Sequence, residues 1–574
     1  MTQTRVFLII AWLMVATLLW MEWDKERAAP VAEPTPVATT TTDMSDAGVP
    51  AVTGPVPTTA ADDGSVPSAP QPGATPDTPT APIASGAEAV TVTTDVFKIV
   101  LDGGQLRQAD LLGYATTTDD NSPPVRLFTL DPIGYFVAQS GWTSSDRTAP
   151  THASGFQPVG DARNYVLAEA SDSVVVPFLW TGPDGVSIRR EYTFRRGDYV
   201  VGVRDEVVNR GDAPWQGFVY RQLSRVPVAV KGSGPMNAES FSFQGAVWYS
   251  AIDKFERRKY DDFVDDGPLN KRVTGGWIGM LQHHFFAAWI PGEADESTYS
   301  LATLSANGGT QYLIREVGPG VNVAPGATAA TEARLWVGPK LAKQIEAQGV
   351  PGLDRAIDYS RFSIFAALGN ALFWLLDKIH SLAGNWGWAI IGLVLLIKLA
   401  MYPLSKAQYK SMAKMRKFQP RIAALKERYG DDRQKFQQAM MELYKKEKIN
   451  PVGGCLPILL QMPIFLALYW VLLESVELRH APWILWIQDL TARDPFFILP
   501  ALNMAVMWAT QKLTPMSGMD PMQQKMMQFM PLVFGVMFAF FPAGLVLYWT
   551  TNGALGLLQQ WWMTKKYAEA PAKA

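Results

Sequence analysis

Trp386-Gly-Trp-Ala-Ile-Ile-Gly-Leu-Val-Leu-Leu-Ile-Lys398-Leu-Ala-Met-Tyr402 has the length and composition of a membrane-spanning helix, apart from one lysine. A Lys at the centre of such a helix costs roughly 2.5–3.5 kcal/mol on insertion scales. Two arrangements relieve that cost. Lys398 lies four residues before Tyr402, roughly 6 Å along a helix, so its stem can carry the ammonium to a membrane surface. Alternatively it faces water or polar groups inside a helical bundle. The rest of the chain is read around that choice.

The chain has 574 residues, of which 48% are hydrophobic and 18% charged, with a formal net charge of −2. That length implies several domains. The apolar residues concentrate near the N-terminus and in the last third. A balanced global charge carries no signature of nucleic-acid binding. The single cysteine, Cys455, rules out an intramolecular disulfide; its place at the edge of an apolar helix suits a small interface residue.

Residues 6–21 form an apolar run after Arg5, with Trp20 and Trp23 placed for an interfacial belt. Segment 1–27 is therefore expected to be a transmembrane anchor rather than a cleaved signal. Residues 28–89, rich in Pro, Thr, Ala, Gly and Asp and poor in aromatics, cannot bury enough surface to fold and are expected to be a disordered linker. Character changes at residues 90–345. Phe97, Ile99 and Leu101 alternate with Lys98, Val100 and Asp102; Ile188, Tyr192 and Phe194 alternate with Arg189, Glu191, Thr193 and Arg195. This period of two, punctuated by turn residues, predicts a large antiparallel β-sandwich.

Segment 359–380 reads as an amphipathic helix lying along a membrane surface, because Asn370, Asp377 and Lys378 suit a span poorly. Five further spans are predicted near 385–403, 453–474, 494–512, 526–541 and 543–562. The fold class expected is thus a multi-domain membrane protein: a polytopic α-helical bundle of six spans with a five-helix core, plus an all-β outer sandwich. Residues 405–450 carry thirteen Lys and Arg against five acids, which puts segment 404–450 in the cytoplasm. Lys512, Lys525, Lys565 and Lys566 then fall on the same side, with the tail 564–574 and both termini inside and the β-domain outside. Met415, Phe418, Ile422, Leu425 and Tyr429, then Phe436, Met440 and Leu443, recur at helical spacing. With Gly430 to end one helix and Asp431 or Asp432 to cap the next, they predict a helical hairpin.

No phosphate-binding loop, His-Glu-x-x-His or paired Cys-x-x-Cys occurs, so the sequence offers no ATP-driven or familiar zinc chemistry and no cofactor is expected. His283-His284 and the acidic stretch Asp261, Asp262, Asp265 and Asp266 read as structural, since neither has the spacing of a metal loop. What remains is a set of polar residues inside predicted spans: Lys398, Gln461, Asn503, Thr550, Thr551 and Asn552. They either line a wet cavity or act as interhelical glue. The span 526–541 would reach only roughly 24 Å against a core of about 30 Å, unless its helix extends back through Met522. Met516, Met519, Met522, Met526, Met527 and Met530 crowd its start, where flexible side chains suit varied apolar partners.

Four stretches carry a resemblance. They are Met401-Tyr-Pro-Leu-Ser-Lys-Ala-Gln-Tyr-Lys-Ser-Met-Ala-Lys-Met415, Asn450-Pro-Val-Gly-Gly-Cys-Leu-Pro-Ile-Leu-Leu-Gln-Met-Pro-Ile-Phe-Leu-Ala-Leu-Tyr469, Asp520-Pro-Met-Gln-Gln-Lys525 and Phe541-Pro-Ala-Gly-Leu-Val-Leu-Tyr548. Together they closely resemble the Oxa/YidC family of membrane protein insertases, in the Gram-negative form whose periplasmic domain is a β-supersandwich resembling sugar-binding folds. The resemblance implies a chaperone and insertase, not an enzyme, working alone or beside the Sec translocon on nascent inner-membrane proteins. The signal recognition particle pathway, the ribosome and the phospholipid bilayer are its further implied partners, without direct nucleic-acid contact. It implies a groove open to cytoplasm and lipid but closed to the periplasm, with a basic residue that attracts acidic segments. That residue matches Lys398, where many relatives carry Arg. Substrate-contacting positions match Gln461, Met462, Met537, Phe540 and Trp549; the last is Tyr in the best-known relatives. The resemblance also assigns substrate recruitment to the basic hairpin and support of activity to the surface helix. A rival reading, a membrane protein whose outer sandwich binds glycan, accounts for the β-domain but not for the basic hairpin.

Overall fold

The computed structural model describes residues 89–568, apart from 146, 154, 229–241, 307–308, 358, 360–362, 430–431, 447–455 and 514–520. The expected anchor at 1–27, nearly all of the expected linker, and Cys455 lie outside the described residues.

The alternating segments are strands of two stacked sheets. One sheet runs, in spatial order, Asn270–Thr274, Glu296–Ala306, Gly309–Val323, Trp215–Arg225, Phe136–Ser144, Gln105–Ala115, Phe97–Asp102, Val90–Thr93 and Asn164–Val166, with Pro124–Phe128 added on Gln105–Ala115. The other runs Lys254–Lys259, Gly245–Ser250, Trp277–Leu281, Phe285–Pro291, Thr328–Pro339, Val200–Asn209, Val186–Arg195, Ser173–Thr181 and Gln157–Pro158. Neighbours pair antiparallel except Val90–Thr93 with Asn164–Val166. Trp142, Trp215, Trp277, Trp289 and Trp336 are fully buried, and Trp142 and Trp289 reach across to the facing sheet. Such large rings bring more apolar area to the interior than any aliphatic side chain.

Alternation also puts a charge inside. Arg190 shares the inward phase of Ile188 and Tyr192 and is fully buried. Its guanidinium grips Asp205, directly opposite on the next strand, through Nε–Oδ1 at 2.8 Å and Nη2–Oδ2 at 2.7 Å. Trp142 of the facing sheet donates its indole N–H to the same carboxylate at 2.7 Å. A buried charge survives only when paired and hydrogen-bonded in this way.

Beyond two short helices, α1 (Asp262–Asp265) and α2 (Ala342–Ala347), the chain becomes helical: α3 (Ser363–Ala383), α4 (Trp386–Ala400), α5 (Tyr402–Lys417), α6 (Gln419–Tyr429), α7 (Arg433–Lys446), α8 (Leu456–Glu474), α9 (Ile498–Leu513), α10 (Pro521–Phe538) and α11 (Ala543–Ala568). Among the described residues no single helix is long and apolar enough to cross a membrane; the pair Trp386–Ala400 and Tyr402–Tyr409, bent by 63°, meets that requirement together. The break has a local cause. Pro403 has no N–H to donate and disfavours helical geometry in the residue before it.

Three further features differ from the sequence-based expectation. The helix expected at 526–541 starts at Pro521 and ends at Phe538, about 27 Å long, so it is not the short span that 526–541 implied. The helix expected from 494 starts at Ile498, because Asp494 is bent over its N-terminus and accepts the N–H of Leu499 at 2.7 Å. The basic hairpin has three helices rather than two, since Pro420 sits at the start of α6, the favoured place for a proline. Its packing is α6 on α7 through Ile422 and Tyr444, and the α7 cap is Asp432, whose Oδ1 accepts the N–H of Lys435 at 3.1 Å.

The β-domain and the helices are joined by named contacts. Lys340 Nζ and Glu474 Oε2 pair at 3.3 Å with both side chains buried. Lys343 pairs with Asp377 of α3 at 2.9 Å, a ring nitrogen of His283 meets the Leu473 carbonyl at 2.9 Å, and Arg479 donates to the Thr116 carbonyl at 3.2 Å. His284, stacked on His283 at 3.8 Å, is held well below the usual histidine range by burial and by the nearby His283, Lys340 and Arg479 charges.

Candidate functional site

Helix α4 is anchored at its start. Asn385 caps it by accepting the Trp388 N–H at 3.2 Å, and its amide donates to the carbonyls of Pro482 and Trp483 at 3.0 and 3.1 Å. Gly387 is required there, because a Cβ would lie 2.1 Å from the Trp483 ring. Lys398 follows on the last turn of this pinned helix.

The Lys398 side chain is half-buried and directed at α11: a Cβ placed on Gly556 would lie 3.7 Å from its Nζ. Lys398 has no ion-pair or hydrogen-bond partner among the described residues. The same glycine receives Tyr409, whose hydroxyl donates to the Gly556 carbonyl at 3.3 Å. Asn552, one turn earlier on α11 and so on the same face, accepts a hydrogen bond from Gln461 Nε2 at 2.9 Å. Lys398, Gln461 and Asn552 thus converge on one side of α11 from α4 and α8. Thr551 is half-buried. Thr550 is buried and returns its hydroxyl to the Val546 carbonyl at 2.8 Å. Asn503 is 2% exposed, and its Nδ2 has no hydrogen-bond partner among the described residues, so no hydrogen bond from that amide joins it to the other polar residues.

The apolar residues singled out with them fall into two groups. Trp549 stands in an aromatic cluster, 5.3 Å from Phe465, 4.1 Å from Phe538 and 5.5 Å from Phe541. Phe540 lies under the Arg493 guanidinium at 5.7 Å. Met537 packs at the edge of the core, whereas Met462 is 48% exposed. Sequence reasoning missed Tyr409, Phe465, Phe538 and Phe541. The three- and four-residue spacing of Phe534, Phe538 and Phe541 was the available signal for an aromatic stripe; nothing local marked Tyr409.

Proline shapes the wall beside this line. Pro531 inside α10 leaves the Met527 carbonyl without its helical donor, and the Gln511 amide of α9 supplies one. Outside, the helices present Leu399, Leu502, Trp508, Phe529, Val533 and Leu558, each at least half exposed. Apolar surface on that scale marks contact with lipid or protein rather than water.

The chain matches the 60Kd inner membrane protein family over residues 378–570 and the YidC periplasmic domain family over residues 89–375. A membrane protein insertase YidC from Stenotrophomonas maltophilia (strain R551-3) is 59% identical over 578 residues, covering 100% of this chain and 98% of that protein. The chain belongs to the YidC family of membrane protein insertases. A YidC from Xanthomonas campestris pv. campestris (strain B100) is 57% identical over 582 residues, covering 100% of this chain and 99% of that one. A crystal structure described as an active YidC insertase with its first transmembrane domain resolved has 20% identity and a TM-score of 0.36, covering 82% of this chain and 92% of that chain. YidC proteins insert membrane proteins into the lipid bilayer and are not enzymes. The two stacked sheets are therefore the periplasmic domain of an inner-membrane insertase, and the helices following them form a YidC-type membrane domain.

Proposed function

We propose that the Lys398–Gln461–Asn552 line is the polar groove through which this insertase works. The carrying observation is the direction of Lys398: its ammonium meets Gly556 of α11 within the bundle. In this reading α4 with the start of α5, α8, α9, α10 and α11 span the membrane and, with the anchor at 1–27, make six spans. The termini are cytoplasmic, α3 lies along the outer surface, and α6 and α7 stand in the cytoplasm to recruit substrate. The aromatic cluster around Trp549, with Met462, Met537 and Phe540, is the slide along which an incoming helix leaves for lipid.

The mechanism is energetic. A charged residue of a substrate loses water on entering hydrocarbon, at roughly 2.5–3.5 kcal/mol each. A groove with Lys398 and two amides offers countercharge and hydrogen bonds part-way across, so less hydrocarbon remains to be crossed. Burial of the substrate helix, at about 25 cal/mol per Å² of apolar area, and the membrane potential, roughly 2.3 kcal/mol per charge per 100 mV, supply the drive. Folding assistance and cooperation with the Sec translocon, the signal recognition particle pathway and the ribosome belong to the same proposal, supported by family membership.

The test is insertion of substrates with acidic, neutral and basic outer tails by Lys398→Ala, Lys398→Glu and Lys398→Arg. Across about 4 Å of wet groove the attraction is about 1 kcal/mol, so Lys398→Ala slows an acidic substrate roughly fivefold. Lys398→Glu adds a repulsion of similar size and slows it roughly thirtyfold. Lys398→Arg retains the rate. Equal rates for all three on every acidic substrate sink the electrostatic role. Crosslinks from positions 398, 462, 537 and 549 to a stalled nascent membrane protein test the path itself.

A further inference from the structure

Residues 479–497, between α8 and α9, tie the outer ends of the bundle together. Trp483 N–H donates to the Ile487 carbonyl at 2.9 Å and Leu490 N–H to Ala481 at 3.0 Å; Ala543 and Gly544 at the start of α11 donate to Ala492 and Leu490 at 2.7 and 2.8 Å. Two carboxylates turn inward. Asp489 accepts the N–H groups of His480 and Thr491 at 3.1 and 2.8 Å. Asp494, 1% exposed, accepts the Trp486 indole at 3.0 Å and the Phe496 and Leu499 N–H groups at 3.0 and 2.7 Å.

Four large apolar side chains turn outward, while Ile487 and Leu490 are buried. Ile484 is 37% exposed, Leu485 73%, Phe496 65% and Phe497 52%. Leu485 and Phe497 have φ of +53° and +56°, a left-handed geometry that bulky residues avoid. A segment that turns its two carboxylates inward onto backbone N–H groups, and strains its backbone while presenting apolar groups, is built for an apolar surrounding. That face is continuous with exposed Ile498 and Leu502 on α9.

We propose that this segment is an apolar wedge bedded in the outer leaflet, with phospholipid acyl chains around Leu485, Phe496 and Phe497. Exposed Arg493 stands at its edge for the lipid phosphate. The proposal rests on the reading that α9 spans the bilayer, and it explains the length of that helix. With 16 residues it reaches about 24 Å, short of a core about 30 Å thick; the wedge fills the remainder on the outer side.

The test uses the full chain in phosphatidylethanolamine–phosphatidylglycerol vesicles. In a Cys455→Ser background, an environment-sensitive fluorophore is placed at Leu485→Cys, Phe497→Cys, Leu502→Cys or Ile252→Cys, and spin-labelled lipids quench it. Ile252, 88% exposed in the β-domain, is the water control, and Leu502 is the bilayer control. Variants are first shown to insert a substrate at the parent rate. Leu485 and Phe497 are expected to be quenched several-fold more than Ile252, and more by a label near the headgroup than by one deep in the chain. Quenching at Leu485 equal to Ile252, with Leu502 still quenched, overturns the wedge. An unquenched Leu502 overturns the membrane reading beneath it. Shielding of Leu485 only on adding another membrane protein makes this face a protein interface, and the wedge is then wrong.

Discussion

Glu477 gives the junction between the periplasmic domain and the bundle a pH dependence of known sign. It lies in the single turn Val476–Leu478 after α8, and its Oε2 is sealed from solvent without a hydrogen-bond partner among the described residues. Desolvation is the main reason that its carboxyl is pushed up from 4.5 to about 7; Asp377 adds to the rise, while its own N–H, that of Ala342 and the Lys343 charge oppose it. Between those values the folded protein holds a proton that the unfolded chain has released. The stabilising contribution is therefore complete below about pH 4.5, declines as pH rises, and is gone above about pH 7. At 1.36 kcal/mol per pH unit the loss amounts to about 3 kcal/mol. Glu477→Gln keeps the neutral shape at every pH. His284 slopes the other way, since a depressed histidine loses stability as pH falls below its unfolded value near 6.5. The diagnostic is therefore the difference between variant and parent rather than either curve alone. Purified full-length protein in detergent is unfolded at pH 5 and pH 8, following loss of the β-domain–bundle contacts by limited proteolysis. The variant should gain about 3 kcal/mol over the parent at pH 8 and little at pH 5. A difference that does not change between the two pH values refutes the reasoning.

Gly556→Leu places a side chain where the Lys398 ammonium lies, 3.7 Å from the new Cβ; insertion of acidic-tailed substrates should fall as far as in Lys398→Ala, while Gly556→Ala stays within about twofold of the parent. Glu474→Ala leaves Lys340 buried without its partner and should cost about 3–5 kcal/mol, most of it recovered in the double variant Lys340→Met, Glu474→Leu, as read by denaturant unfolding. Asp205→Ala strands Arg190 and the Trp142 indole inside the sandwich and should cost a comparable amount, measured by thermal unfolding with the tryptophan signal.

How much of this was legible in the chain differs between elements. Period-two alternation identified the strands around Ile188 and Phe194, and the same phase contains Arg190, which a hydrophobicity reading passes over because its partner Asp205 lies 15 residues on. The basic segment announced two helices with a cap at Asp431 or Asp432, yet not which of the two caps nor the break before Pro420. At the polar line, residue type drew attention to Lys398, Gln461 and Asn552. Nothing in type or spacing said that Gln461 and Asn552 bond across 91 residues, that Tyr409 joins at Gly556, or that Asn503 stands apart.

Local pattern alone determined the two halves of this protein, a sheet domain and a lysine-bearing helical membrane domain, because backbone hydrogen bonding and burial periodicity act over a few residues. The direction of Lys398, the Lys340–Glu474 weld and the outward face of Leu485 and Phe497 were decided only by tertiary structure. Those depend on the rotation and tilt of each helix against its neighbours, which one helix's own sequence does not contain.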